Sequence, residues 1–273
     1  MAITTLAQVR AGLQPPQYMA KTPNAVGNIG QWLTLWDRPG YPQAALWDTT
    51  LPGVALTAPV FGQLGFLNPP SGNAYLARFT AVAQRLNVLG TGSVMLVDRL
   101  WHNGGFTITS TSPQTVNSVA FPPRDENGSS NGVGVLLALM VNTTPTAGGP
   151  PTVAVSYTNS NGVAGRTAVN IHPAIAVSNP DHVMPLSLDA GDVGVQSVQS
   201  LTFTSAWSAG VVALVAYRPI LFMPVDLAAR TLAVDAISGA MPRILNDSVL
   251  ELWATQGVNT MISVEAEATY AFG

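Results

Sequence analysis

The sequence predicts a mainly β protein, with a β-sandwich or jelly-roll-like core behind an irregular N-terminal arm that holds one short helix. Three observations predict it. From about Ser71 onward the chain breaks into short apolar or alternating runs separated by turn signals. Four Asn-Gly pairs, Asn103-Gly104, Asn127-Gly128, Asn131-Gly132 and Asn161-Gly162, fall among those runs, and Asn-Gly favours the positive φ of tight hairpin turns. Before Pro70, Pro, Gly and aromatic residues recur without a sustained period.

Residues 3–13 fit a short amphipathic helix, with Thr4 or Thr5 as N-cap, Leu6, Val9 and Leu13 on one side, and Gly12 near its end. The arm or covering layer then runs to residue 70. It holds Trp32, Trp36, Tyr41 and Trp47, and a disordered tail seldom carries so many large rings. These four are the candidate interface residues; the competing reading packs them on their own core. Core strands are expected at Ala74–Ala81, Ser93–Trp101, Val133–Val141, Thr152–Thr158, Val163–Val169, Ser197–Thr204, Val211–Tyr217 and Thr260–Phe272. In the last, Ile262, Val264, Ala266, Ala268 and Tyr270 alternate with Ser263, Glu265, Glu267 and Thr269, so one face is buried and the other wet. Proline-bearing joints are expected at Ser178–Gly191 and Met223–Asp247. The expected division is 1–70 for helix and arm, 71–222 for the sandwich core, and 223–273 for a C-terminal β segment that completes the core or forms a small subdomain.

At 273 residues the chain can bury a substantial core without a metal or disulfide. Its charge is the unusual quantity. Asp, Glu, Lys and Arg make up 9% of the residues, against about 25% in an ordinary soluble domain; hydrophobic types reach 47%, and Lys21 is the only lysine. An independent monomer keeps a mixed charged exterior, so this composition points to a surface covered by other subunits, including copies of itself. The net charge of −3 offers no basic patch to release counterions from nucleic acid, so direct nucleic-acid binding is not expected. The absence of cysteine removes thiolate zinc sites and thiol nucleophiles. The first residues lack a basic segment followed by an apolar one, and the runs Val133–Val141 and Val211–Tyr217 are too short to span a bilayer as helices. Synthesis in the cytoplasm and no membrane partner are the expectation.

The search for chemistry assigns no catalytic residue, no cofactor and no metal site. His102, His172 and His182 show no ligand spacing. Asp98 and His102 share a face in strict alternation but lie about 13 Å apart at the strand rise, so Asp98 is expected to pair structurally with Arg99 or Arg124. Asp125-Glu126 reads as part of a solvated hairpin tip rather than the paired carboxylates of a glycosidase or an EF-hand loop. No nucleophile elbow, phosphate loop or dinucleotide fingerprint is present.

Several phrases carry a resemblance: Val97-Asp98-Arg99-Leu100-Trp101-His102, Gln114-Thr115-Val116-Asn117-Ser118, Pro123-Arg124-Asp125, Ser156-Tyr157-Thr158-Asn159, Gly162, and Ala164-Gly165-Arg166-Thr167. Over the middle half of the chain this set resembles virion structural proteins of tailed bacteriophages and prophages. The resemblance implies a non-enzymatic particle subunit located in the virion, a capsid decoration or cement protein, whose partners are the major capsid protein or other virion subunits and which forms homo-oligomers. The alternatives are a tail, baseplate or fibre-base component, and a carbohydrate-binding β-sandwich module whose loops use Trp101 or Trp207.

Overall fold

The computed structural model describes residues 3–23, 30–47, 53–84, 91–116, 120–146, 152–170, 180–226, 232–238, 241–255 and 263–273. One short helix, α1 (Leu6–Gly12), precedes strands β1 (Gln17–Lys21), β2 (Trp32–Thr34), β3 (Gly40–Tyr41) and β4 (Val54–Ala55). Then come β5 (Ala74–Gln84), β6 (Thr91–Asn103), β7 (Gln114–Thr115), β8 (Leu136–Thr146), β9 (Val153–Asn159) and β10 (Arg166–Val169). The chain continues through β11 (His182–Pro185), β12 (Val195–Phe203), β13 (Ala209–Asp226) and β14 (Leu232–Asp235). It ends with β15 (Arg243–Ile244), β16 (Leu250–Thr255) and β17 (Ser263–Phe272). The protein is mainly β, as the sequence predicts.

Two compact units form, neither contiguous in sequence. The first gathers residues 1–45, 57–98 and 220–273; the second gathers 46–56 and 99–219. These boundaries differ from those expected at residues 70 and 222, because strand pairing here joins distant segments. In the first unit β17 lies between β5 and β1, which carries β3 at its far edge, and β14 and β15 both pair with β5. The β2-β16-β6 ladder faces this sheet. Met19, Phe79, Ala268 and Tyr270 from one layer meet Leu35, Leu96, Leu250 and Leu252 from the other in one apolar core. The expected irregular arm therefore supplies working strands.

In the second unit the sheet ordered β10-β9-β12-β7 shares a core with the β13-β8-β11 ladder, through residues such as Val155, Tyr157, Phe203, Leu139 and Leu214. Two such apolar faces stacked on one another are the sandwich arrangement. Three of the four Asn-Gly glycines, Gly128, Gly132 and Gly162, have φ between 76° and 85°. At the fourth pair the positive φ falls one residue later, on Gly105.

Helix α1 starts where the capping rule places it. Thr5 Oγ1 accepts from the Gln8 amide while Gln8 Oε1 accepts from the Thr5 amide, closing a capping box. Val9 is buried against Ala77 and Ala271, but Leu6 and Leu13, expected beside it, are 56% and 47% exposed. Gly12 permits the close approach: a Cβ there would lie 2.1 Å from the Phe272 carbonyl oxygen.

Candidate interaction surface

The four arm aromatics separate by environment. Trp36 is 2% exposed, and its carbonyl accepts from the Ala45 amide at 3.0 Å, so it is packed inside its own chain and cannot anchor a partner. Trp32, at the start of β2, is half-buried and meets Phe222 edge-on with ring centroids 6.0 Å apart. Tyr41 is 65% exposed on β3. Trp47 is half-buried and belongs to the second unit, whereas the other three belong to the first. Trp101 and Trp207, the expected sugar-stacking residues, are buried among the apolar side chains of the second unit. A glycan cannot reach them there.

The polar phrases that carry the sequence resemblance hold the fold together. Asp98 is fully buried and accepts from Ser248 Oγ at 2.8 Å and the Val249 amide at 2.9 Å. Arg124 donates to the carbonyls of Leu56 and Arg99, and its own carbonyl accepts from Arg218 Nε at 3.0 Å. Arg99 Nη2 lies 3.1 Å from His102 Nδ1. Burial first, and then the Arg99 charge, push the His102 pKa down to about 3, so its imidazole is neutral and accepts from the guanidinium. His172 lies outside the described residues.

Asp125 is 1% exposed rather than solvated at a hairpin tip. It accepts from the amides of Asn127, Ser129, Gly132 and Val133 and from Ser129 Oγ. Burial raises its pKa, but the hydrogen bonds from Ser129, Val133 and Asn127 outweigh that and leave it below the usual carboxylate range. A comparable clamp closes the β9–β10 end of the second unit. Asp192 accepts from Tyr157 Oη at 2.5 Å, Asn159 Nδ2 at 2.7 Å and Arg166 Nε at 2.9 Å. Burial and the bond to Asp192 push the Tyr157 pKa up to about 12. These carboxylates are held by fixed donors within the fold. Among the described residues no group of three or more His, Cys, Asp or Glu is placed to hold a metal ion, and no helix is long and apolar enough to cross a membrane.

An exposed face does emerge in the first unit, on the side of the β5-β17-β1 sheet away from its core. Strand register places Tyr41, Ala20, Glu265 and Val82 in one row across β3, β1, β17 and β5. The next row is Tyr18, Glu267, Thr80 and Ala233 across β1, β17, β5 and β14. Tyr18 is 46% exposed, and both glutamates are half-buried. Desolvation, followed by the hydrogen bond and charge of Glu265, raises the Tyr18 pKa. The Glu265/Glu267 row was legible as the wet face of an alternating strand. Tyr18 was not, because only pairing with β17, some 250 residues away, reveals its side of the sheet.

No protein-family model and no curated protein matches this chain. Among solved structures it is similar to that of the Gt strain of infectious bursal disease virus, with 11% identity and a TM-score of 0.20 over 95% of this chain and 82% of that chain. It is also similar to the crystal structure of the VP2 subviral particle of the same virus, with 11% identity and a TM-score of 0.21 over 96% and 82% of the two chains. Likenesses this slight carry no weight in assigning a function.

Proposed function

We propose that this chain is a non-enzymatic structural subunit of a tailed-bacteriophage virion, a decoration or cement protein that stabilises the head through subunit contacts. The observation that carries the reading is where the charge goes. Among the described residues eight charged side chains, Lys21, Asp98, Arg99, Arg124, Asp125, Asp181, Arg218 and Glu251, are buried, in a chain with only 11 basic and 14 acidic residues. Burial takes these eight out of an already sparse set of surface charges, while twelve large apolar side chains stand exposed among the described residues. Neutral surface with scattered apolar groups suits burial against other subunits, since few charges need to be desolvated. The phrases resembling phage virion proteins supply the kind of assembly.

Quantitative mass spectrometry of purified particles tests the reading. One copy per major capsid subunit or per capsomer is the expected result. A few copies to a few dozen would transfer the protein to the vertex, collar or tail, and absence from the particle would overturn the virion assignment.

A further inference from the structure

Two exposed features of the first unit lie on the same side of the same sheet and complement each other. The first is α1. Its buried contact is through Val9 onto Ala77 and Ala271, and Ala271 points away from the core that receives its neighbour Tyr270, so the helix sits on the outer face near the C-terminal end of β17. Leu6 and Arg10 on the helix and Leu13, the residue that caps its C-terminal end, form a second stripe that the chain leaves exposed. Arg10 makes no ion pair among the described residues.

The second feature is the remainder of that outer face, where Tyr18 and Tyr41 are exposed and Glu265 and Glu267 half-buried beyond the helix. Glu267 lies four residues before Ala271 along β17, about 13 Å at the strand rise. A helix about 10 Å thick therefore forms a step beside a lower patch that is aromatic and acidic. An arginine between two leucines fits such a patch: the guanidinium pairs with carboxylates and stacks on tyrosine rings, while the leucines cover their edges.

We infer that this face pairs two copies of the chain about a two-fold axis, with the Leu6-Arg10-Leu13 stripe of each copy seated on the Tyr18, Tyr41, Glu265 and Glu267 patch of the other. The symmetry follows from the placement. Stripe and patch share one face, so a single two-fold contact satisfies both reciprocally, whereas a head-to-tail ring needs them on different sides. Steps of equal height then interlock. The inference rests on the structural-subunit reading and names its self-contact, with charge complementarity between Arg10 and the two glutamates as the recognition element.

The test is sedimentation velocity on the purified full chain with three variants: Arg10→Glu, the pair Glu265→Arg with Glu267→Arg, and all three changes together. The expected wild-type species has twice the 28.4 kDa chain mass. Each charge reversal alone should raise the dimer dissociation constant at least about tenfold, and the combined variant should recover most of the loss. Near-ultraviolet circular dichroism identifies any variant that fails to fold, and the recovery in the combined variant separates lost pairing from lost structure. A monomeric wild type at about 100 μM, far above the micromolar affinity of even modest standard interfaces, would overturn the inference. So would a dimer indifferent to all three changes. Particle copy number is a separate measurement, so a monomer found in virions rejects the two-fold contact and leaves the functional reading intact, while a dimer absent from virions does the reverse.

Discussion

At the scale of single residues, the buried polar groups tie stability to pH. His102 is held neutral in the folded chain, its pKa lowered to about 3 by burial and by Arg99. In the unfolded chain it titrates near the ordinary value of about 6.5. Between those values the unfolded state binds the extra proton, so the stabilisation is complete above about pH 6.5 and declines as pH falls toward 3. Each pH unit within that window costs up to about 1.4 kcal/mol. Replacing His102 with Gln keeps an acceptor for the guanidinium and removes the titration. Urea unfolding at pH 7 and pH 5 should show the wild type losing up to about 2 kcal/mol more than His102→Gln over that interval. Equal losses in the two proteins would mean that His102 is protonated without penalty in the fold.

At the scale of elements, the loop between β7 and β8 is organised by one carboxylate. Asp125 gathers four amides and a hydroxyl, and Gly132 sits where any Cβ would meet the Val195 carbonyl oxygen. Asp125→Ala leaves those donors without their acceptor in a buried setting and should cost roughly 2–4 kcal/mol, read as a shift of the urea midpoint with an unchanged slope. A shift equivalent to less than about 0.5 kcal/mol, the range of ordinary surface changes, would show that water replaces the carboxylate. What could be read in the sequence follows the same physics. The part of β17 within the described residues was legible because one face is buried and the other is not, so its side chains alternate. Five consecutive buried residues hid β16, since a strand covered on both faces has no alternation and Glu251 looks out of place in a core. Only from the fold does Glu251 make sense, accepting from Trp253 Nε1 at 2.7 Å and from Thr34 Oγ1. Strands β1 and β2 were missed because five and three residues carry too little pattern, and their partners lie more than 200 residues away. The outward side of α1 was misread because periodicity groups Leu6 and Leu13 with Val9, whereas the small cluster around Ala77 and Ala271 takes in Val9 and leaves both leucines outside.

At the scale of the whole molecule, the chain threads its two units so that no single cut separates them. The first unit draws on three segments of sequence and the second on two. An N-terminal arm that serves only as an interface would be dispensable for folding, and removal of residues 1–60 would leave an intact core. The pairing argues otherwise. That deletion removes β1 from the ladder it forms with β17 and removes β2 from beside β16, taking with them Met19, Leu33 and Leu35, each fully buried. Losing a buried side chain of this size costs about 2–5 kcal/mol, so the three together match the total stability of about 5–15 kcal/mol available to a typical domain. The truncated chain should therefore lose the cooperative thermal transition of the first unit and its near-ultraviolet signal, and should be insoluble or aggregated when expressed. A soluble, cooperatively melting product would show that the first sixty residues add their strands to a unit already stable without them, which would return the arm to a purely interfacial role.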